Sequence, residues 1–307
     1  MDYAALLLYG PRDLRWTEGE LKPPEPGEVW LETLAGAVSV GTELPLYRGD
    51  ARAVAAPAYP LMTGYESLAR VVRIGREVEN VRASERVVAT YGHRTAACVS
   101  ASKLMRVPEG VPDEIALLAI LSNDAGKGIG KMRLGQDDVV LITGAGTIGL
   151  LALYRLRWLE FSHVDVVEPE PERRKLALTL GARKVFSPGE LNDEHVYAAG
   201  VECSSHQNAF ATLQRHLKIG GQICILADGN LEPLVLTPEF HARELSVVGS
   251  SDGEDYPGYA RAFFSDWQGT KAPLDKLFTL RIEAGELPET FERLEVEKPV
   301  KVFVSYK

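Results

Sequence analysis

The sequence predicts an α/β protein in two parts, one β-rich and one built on a doubly wound parallel sheet. Three observations predict it. At 139–143, five residues rich in β-branched types read as a buried parallel strand, and they run straight into Gly144-Ala145-Gly146-Thr147-Ile148-Gly149 and an apolar helical pattern. From residue 119 onward strand and helix patterns alternate, which implies parallel strands covered on both faces. Before residue 118, short apolar runs are instead broken by turn signals, the texture of short strands.

In chain order, 4–9 is the first strand, and turns follow at Pro11-Arg12-Asp13, Pro23-Pro24-Glu25-Pro26-Gly27 and Arg48-Gly49-Asp50. Strand character returns at 29–40, 67–74 and 86–90, with Gly75 at a turn, and a strand over 103–107 stops at Pro108-Glu109-Gly110. Asp113 and Glu114 then precede an apolar helical segment over 115–121, acids in a first turn where the helix dipole favours them. The alternating part holds strands 139–143, 164–168, 184–186, 200–203, 222–227 and 245–249, with helices 147–160, 170–180 and 207–217 among them. A helix over 257–268, a strand over 277–282, a helical pattern over 288–294 and a strand over 301–305 close the chain, and no internal repeat or low-complexity linker interrupts it.

The glycine-rich turn is what a dinucleotide pyrophosphate needs. Gly144 permits the tight turn, Gly146 lets backbone approach the phosphates, and Gly149 lets helix and strand pack closely, with the N–H groups of Thr147 and Ile148 at a helix N-terminus that faces the anion. The next strand ends in Glu168, 19 residues after Gly149, where a carboxylate can hold both ribose hydroxyls of an adenosine. A 2′-phosphate would be repelled there, so NAD is expected in preference to NADP, although Arg173 and Arg174 could attract a phosphate or stack on adenine. Ser204 and Ala227 end the fourth and fifth strands, at the carboxyl edge where such sheets bind ligands.

Length and composition set bounds. At 307 residues there is enough chain for two cores, and the hydrophobic and charged fractions, 45% and 25%, are those of a globular protein. A net charge of −9 argues against nucleic acid and anionic membranes as partners and says nothing specific about a small-molecule substrate. The cysteines Cys98, Cys203 and Cys224 form no C-x-x-C, which suits free thiols in a reducing compartment. With no secretory or membrane-length apolar run, a cytoplasmic protein is expected.

Across nearly its whole length the chain resembles the medium-chain dehydrogenase/reductase superfamily, which includes the zinc alcohol dehydrogenases. The resemblance rests on Pro24-Glu25-Pro26-Gly27-Glu28-Val29, Gly41-Thr42-Glu43, Gly64-Tyr65-Glu66, Arg86-Val87-Val88, Val107-Pro108-Glu109-Gly110-Val111, the glycine-rich turn, 173–182 and Val300-Lys301-Val302. It implies a GroES-like substrate domain over 1–118, rejoined by 275–307, around a Rossmann domain over 119–274, with a catalytic cleft between them. It also implies a homodimer, and the apolar run 245–250 suits pairing through the last strands of the nucleotide-binding sheet.

The departures from the superfamily pattern matter as much. Where zinc-dependent members carry Cys before Gly-Thr-Asp, this chain has Val40; the His of their Gly-His-Glu is Tyr65; the later Cys or Glu ligand falls near Ile120. Zinc requires three or four N, S or O ligands, and only Glu66 of that set remains, so no zinc is expected. Three scattered cysteines cannot build the four-cysteine structural lobe either. A different site using Glu66, Tyr65 and His93 stays open. Ser39-x-Gly41-Thr42-Glu43 with Gly64-Tyr65-Glu66 is similar to the zinc-less branch that contains 3-hydroxyethyl bacteriochlorophyllide dehydrogenases.

The resemblance makes Thr42 the hydroxyl that bonds the substrate oxygen; otherwise it is a strand-end hydroxyl on backbone. Tyr65 could donate to a carbonyl oxygen or fill the volume left by zinc. Glu66 would orient a cation or pair with a buried one. His93 could shuttle protons or be structural. Asn123 sits where relatives pass a helix under the nicotinamide. Lys301 matches a cation near the pyrophosphate, or faces water from a strand. The expected function is zinc-independent hydride transfer between NAD(H) and an alcohol, carbonyl or activated alkene, with Thr42, Tyr65 and His93 meeting the developing oxyanion. A protein that binds NAD(H) as a sensor or scaffold without catalysis is the alternative, and a lyase or epimerase using bound NAD a third reading.

Overall fold

Side-chain alternation along the first strands builds two sheets before any helix of length appears. The computed structural model describes residues 1–50, 58–192, 194–227 and 232–306. Strand β1 (Asp2–Leu8) pairs antiparallel with β2 (Leu14–Glu20) and, on its other edge, with β4 (Leu61–Met62). The long β3 (Glu28–Val38) pairs with β5 (Glu66–Ile74) along its length and with β7 (Ala96–Ser100) near its start, and β6 (Arg86–Ala89) and β8 (Met105–Arg106) extend the sheet. Between β3 and β4 lies helix α1 (Val40–Arg48), where strand was expected to run to residue 40. Gly41 and Pro45 hide this helix from propensity. Tertiary contacts stabilise it: Leu44 and Tyr47 enter a core with Leu6, Leu8 and Phe291, and Gly49 ends it at φ +75°.

Helices α2 (Asp113–Leu117) and α3 (Ala119–Gly130) lead to the parallel sheet. Its elements are β9 (Val140–Thr143), α4 (Thr147–Trp158), β10 (Val164–Val167), α5 (Pro171–Thr179), β11 (Lys184–Phe186), β12 (Tyr197–Glu202), α6 (Gln207–His216), β13 (Leu217–Ile225), α7 (Pro238–Ala242) and β14 (Ser246–Gly249). The spatial order is β11-β10-β9-β12-β13-β14, all parallel, so the chain turns outward from β9 in both directions. That is the strand order of a doubly wound dinucleotide-binding sheet, whose switch point lies between its first and fourth strands, here β9 and β12. Both faces are covered, which is why β9 and β10 are buried at every position.

Helix α8 (Tyr256–Thr270), β15 (Phe278–Glu283), α9 (Leu287–Glu297) and β16 (Lys301–Ser305) follow, and their strands complete the sheet of β3: β16 adds antiparallel to β3, Val302 opposite Val38, and parallel to β15. Two compact units result, Met1–Ile120 with Asp255–Lys307, and Leu121–Glu254. The chain rejoins its first unit at Asp255, earlier than the expected 275, because α8 packs on β8 and buries Phe263 and Phe264 there. Among the described residues no helix is long and apolar enough to cross a membrane.

Candidate active site and nucleotide-binding corner

The second unit carries the glycine-rich turn between β9 and α4. Gly144 has φ +89°, and a Cβ there would lie 3.0 Å from the Cys203 carbonyl oxygen, so β9 and β12 approach closely at the switch point. At Gly149 a Cβ would lie 2.0 Å from the Gly144 oxygen, which binds the helix tightly to its strand. Gly146, the N-cap of α4, meets nothing within 4 Å: the space before the helix N-terminus is open. Thr147 and Ile148 follow, both half-buried. Glu168 is buried at the end of β10, and its two oxygens accept from Ala145 N at 2.6 Å and Glu170 N at 2.9 Å. The carboxylate is thus drawn onto the glycine-rich turn. Arg173 is half-buried, and Arg174 donates to the Glu168 and Pro169 carbonyls.

A second carboxylate, which the sequence did not single out, ends β12. Glu202 is fully buried and accepts from Ser204 N at 2.7 Å, Ser204 Oγ at 2.5 Å and Ser205 N at 3.1 Å. Burial pushes its pKa up against those donors. Ser204, expected at a ligand, therefore spends its hydroxyl on Glu202, and Ala227 N bonds the Glu202 carbonyl. Asn123 is buried and donates to the Glu254 carbonyl at 2.9 Å, while Asp124 accepts from Gly253 N, so α3 fastens the 252–254 segment.

In the first unit the ends of three adjacent strands meet. Glu66 opens β5 opposite Ala37, and Lys301 opens β16 one residue before the Val302–Val38 pair; Ser39 follows β3 directly. The two-residue repeat puts all three side chains on one face. Lys301 Nζ donates to Glu66 Oε2 at 2.5 Å and to Ser39 Oγ at 3.0 Å, and Ser39 Oγ donates to Glu66 Oε2 at 2.6 Å. Lys301 and the Glu66 side chain are both 0% exposed. Lys301 is therefore neither open to a pyrophosphate nor facing water, which corrects both expectations for it. Among the described residues Glu66 Oε1 has no hydrogen-bond partner, and burial raises the Glu66 pKa while Lys301 opposes it.

Ser39 is the N-cap of α1 but makes no side-chain cap bond, an interaction worth about 0.5–2 kcal/mol in other helices. Its hydroxyl is engaged with Glu66 and Lys301 instead. Glu43 compensates in part: its carboxylate accepts from Ser39 N at 2.9 Å and from His93 Nε2 at 2.9 Å. His93 is buried under Gly64, where a Cβ would sit 2.7 Å from its ring. Its Nε2 is committed to Glu43, so His93 is one half of a buried His–Glu pair. Thr42 lies in the first turn of α1 rather than at a strand end. Tyr65, next to Glu66 in the chain, is half-buried overall and brings a phenol to this corner. Burial, followed by the Glu66 charge, keeps that phenol protonated well above the usual tyrosine range.

The profile of the zinc-binding dehydrogenase family matches residues 147–265. An L-threonine 3-dehydrogenase of Chelativorans sp. (strain BNC1) is 26% identical over 98% of both chains. By these matches the chain is similar to alcohol dehydrogenase-like proteins of the medium-chain dehydrogenase/reductase superfamily. Solved structures agree in fold: the 2R,3R-butanediol dehydrogenase of Bacillus subtilis superposes with a TM-score of 0.86 at 22% identity over 99% of this chain and 100% of its own. An alcohol dehydrogenase of Escherichia coli CFT073 complexed with NADH gives 0.85 at 20% identity over 99% of each.

Of the groups that such dehydrogenases hold, the residues of this chain fit one and not the other. A catalytic zinc does not fit. Val40 and Ile120 offer no donor atom, Glu66 is held by an ammonium, and no cluster of three His, Cys, Asp or Glu suited to a metal exists among the described residues. A nicotinamide dinucleotide does fit: Gly146 leaves room for phosphate, and the Glu168 carboxylate, acceptor-only with about four lone-pair sites, still has capacity for ribose hydroxyls.

Proposed function

We propose that this oxidoreductase works without zinc, taking NAD(H) in preference to NADP(H) and interconverting a small alcohol and its carbonyl, or reducing an activated alkene. The observation that carries the reading is the Tyr65 phenol, next in the chain to the Glu66 of the buried Lys301–Glu66 pair and kept protonated by burial. A bound dihydronicotinamide would supply hydride. The chain's own task is then to bind and orient the substrate and to meet the oxygen that develops charge. A phenol does this by hydrogen bonding and proton donation. Thr42 assists it; His93, committed to Glu43, holds the α1 start in place and leaves the chemistry to others. Preference for NAD is supported by Glu168 beside the glycine-rich turn, with Arg173 as the opposing influence. A homodimer is part of the reading, with β14 at the free edge of the parallel sheet as the pairing strand.

The buried state of Glu66, Lys301 and His93 also favours a second reading, an NAD(H) sensor without turnover. Purified protein tested against alcohols, carbonyls and enones decides between them. We expect no stoichiometric zinc by elemental analysis, tighter NADH than NADPH by nicotinamide fluorescence, and turnover that falls roughly a hundredfold in Tyr65→Phe with NADH affinity unchanged. About one tightly held zinc per chain would overturn the metal-free reading, and tight NADH binding with no turnover on the whole panel would favour the sensor.

A further inference from the structure

We propose that the first unit carries a second binding site, for a small zwitterion of the α-amino acid type, in the cleft where Arg70 faces Glu32 across β5 and β3 with Tyr306 in the wall. The inference does not depend on the reading of Tyr65.

Three observations carry it. The cleft has a volume of about 520 Å³, within the range of small-molecule sites, and its lining residues all belong to the first unit. The strand register puts three charged residues of that lining in one row: Glu32 is the partner of Arg70, and Arg70 is the partner of Arg86. Arg86 is satisfied, since it donates to Asp113 at 2.6 Å and to the Val111 carbonyl at 2.9 Å. The other two are not. Among the described residues neither the Glu32 carboxylate nor the Arg70 guanidinium has a hydrogen bond or ion pair, although directly opposed side chains on neighbouring strands lie within reach of one another. The third observation is Tyr306. Its hydroxyl oxygen is buried and, among the described residues, has no hydrogen-bond partner. Leaving such a group unpaired is unfavourable, and a polar ligand in the cleft relieves it.

The charge pattern selects the ligand. Arg86 and Asp113 cancel one another, which leaves one positive and one negative group unmatched. An anion is drawn by Arg70 and repelled by Glu32; a cation meets the reverse. A molecule that carries both signs on neighbouring atoms complements the pair. Its carboxylate takes the forked donors of Arg70, and its ammonium donates to Glu32. Neutral hydroxyls complete the polar lining. Thr95 Oγ1 accepts from Ala4 N at 2.9 Å, so its own proton is left to donate, and Tyr306 Oη can do the same. Leu34, half-buried in the same wall, suits a short apolar side chain. The site is apart from the candidate active site: from Glu66 to Arg70 along β5 is about 13 Å at the rise of a strand.

The test is calorimetric titration of the whole chain with L-alanine as the probe. Acetate and ethylamine, which carry one of its charges each, are the controls. L-Alanine should bind saturably, and each control about tenfold or more weaker. Arg70→Met and Glu32→Gln, both at exposed positions, should each weaken L-alanine about tenfold or more, the size of one hydrogen bond to a charged group. Tyr306→Phe, which keeps the ring, should weaken it about fivefold. Exchanging the two charges, Glu32→Arg with Arg70→Glu, should bind more tightly than either single variant, because both signs are present again. Tyr65→Phe should bind as wild type does. Absence of saturable L-alanine binding overturns the inference. So does acetate binding as tight as that of L-alanine with no loss in Glu32→Gln, the behaviour of a plain anion site. L-Alanine binding that survives Arg70→Met, or that is lost in Tyr65→Phe, places the ligand elsewhere and overturns it too. None of these results bears on zinc, cofactor or turnover, so failure here is distinct from failure of the proposed function.

Discussion

A carboxylate buried at a strand end depends on the donors that the following turn supplies. Glu202 has three, from Ser204 and Ser205, yet burial outweighs them and raises its pKa. The folded state therefore binds this proton more tightly than the unfolded chain does. Stability from that preference is complete below the ordinary glutamate pKa and is lost as pH rises through the folded value, at about 1.4 kcal/mol for each unit of elevation. Glu202→Gln keeps an acceptor for the turn and removes the titration. Its melting temperature relative to wild type should rise as pH climbs above the ordinary glutamate pKa and level off beyond the folded value; a difference that stays flat with pH would refute the assignment. Residues at this scale were only partly legible. Tyr65 stands out as a replacement and Glu66 as a retained residue in a known pattern, but nothing local in Val300-Lys301-Val302 says that Lys301 is enclosed. Its environment is made by Ser39 and Glu66, far away in sequence and brought together by strand register. Ser39 escaped notice for the same reason.

At the scale of elements, the β9–α4 turn separates two uses of glycine. Gly149→Ala places a Cβ 2.0 Å from a backbone oxygen that cannot rotate away, and should cost about 1–3 kcal/mol or more in stability. Gly146→Ala has no clash within 4 Å and an ordinary φ of −75°, so its stability should stay within about 0.5 kcal/mol of wild type. NADH affinity should nevertheless drop, because the added methyl enters the space before the helix N-terminus. Thermal melts and NADH titration on both variants check this; a Gly146→Ala protein that binds NADH normally would put the phosphates elsewhere. This turn was fully legible because strand, glycine spacing and helix are contiguous. Helix α1 was not, since Gly41 and Pro45 argue against a helix that Leu44, Tyr47 and the Gly49 cap impose. Strand β7, Ala96–Ser100, escaped because its small residues show no alternation.

For the whole molecule, the alternating pattern after residue 119 was enough to read the parallel sheet, whose strand order the structure supplies. The end of that part was harder to read: α8 has the periodicity of any amphipathic helix, and only its packing on β8 assigns it to the first unit. The second unit, Leu121–Glu254, is one continuous stretch with its own core of Leu141, Tyr197, Phe210, Leu213 and Ile223. Expressed alone, 119–254 should therefore fold cooperatively and retain NADH binding, as circular dichroism and fluorescence titration would show. A fragment without a cooperative melt would mean that its stability is borrowed from the first unit.

The strand pairing of β16 with β3 has a consequence for synthesis. Glu66 leaves the ribosome 235 residues ahead of Lys301, and at about 5–20 residues per second the wait is roughly 12–47 s. Through that interval the edge of β3 over 35–38 lacks its β16 partner and the carboxylate has no cation to enter the core with. The nascent first unit must stay open there, with Glu66 hydrated, while the second unit, already complete in the emerged chain, is free to fold ahead of it.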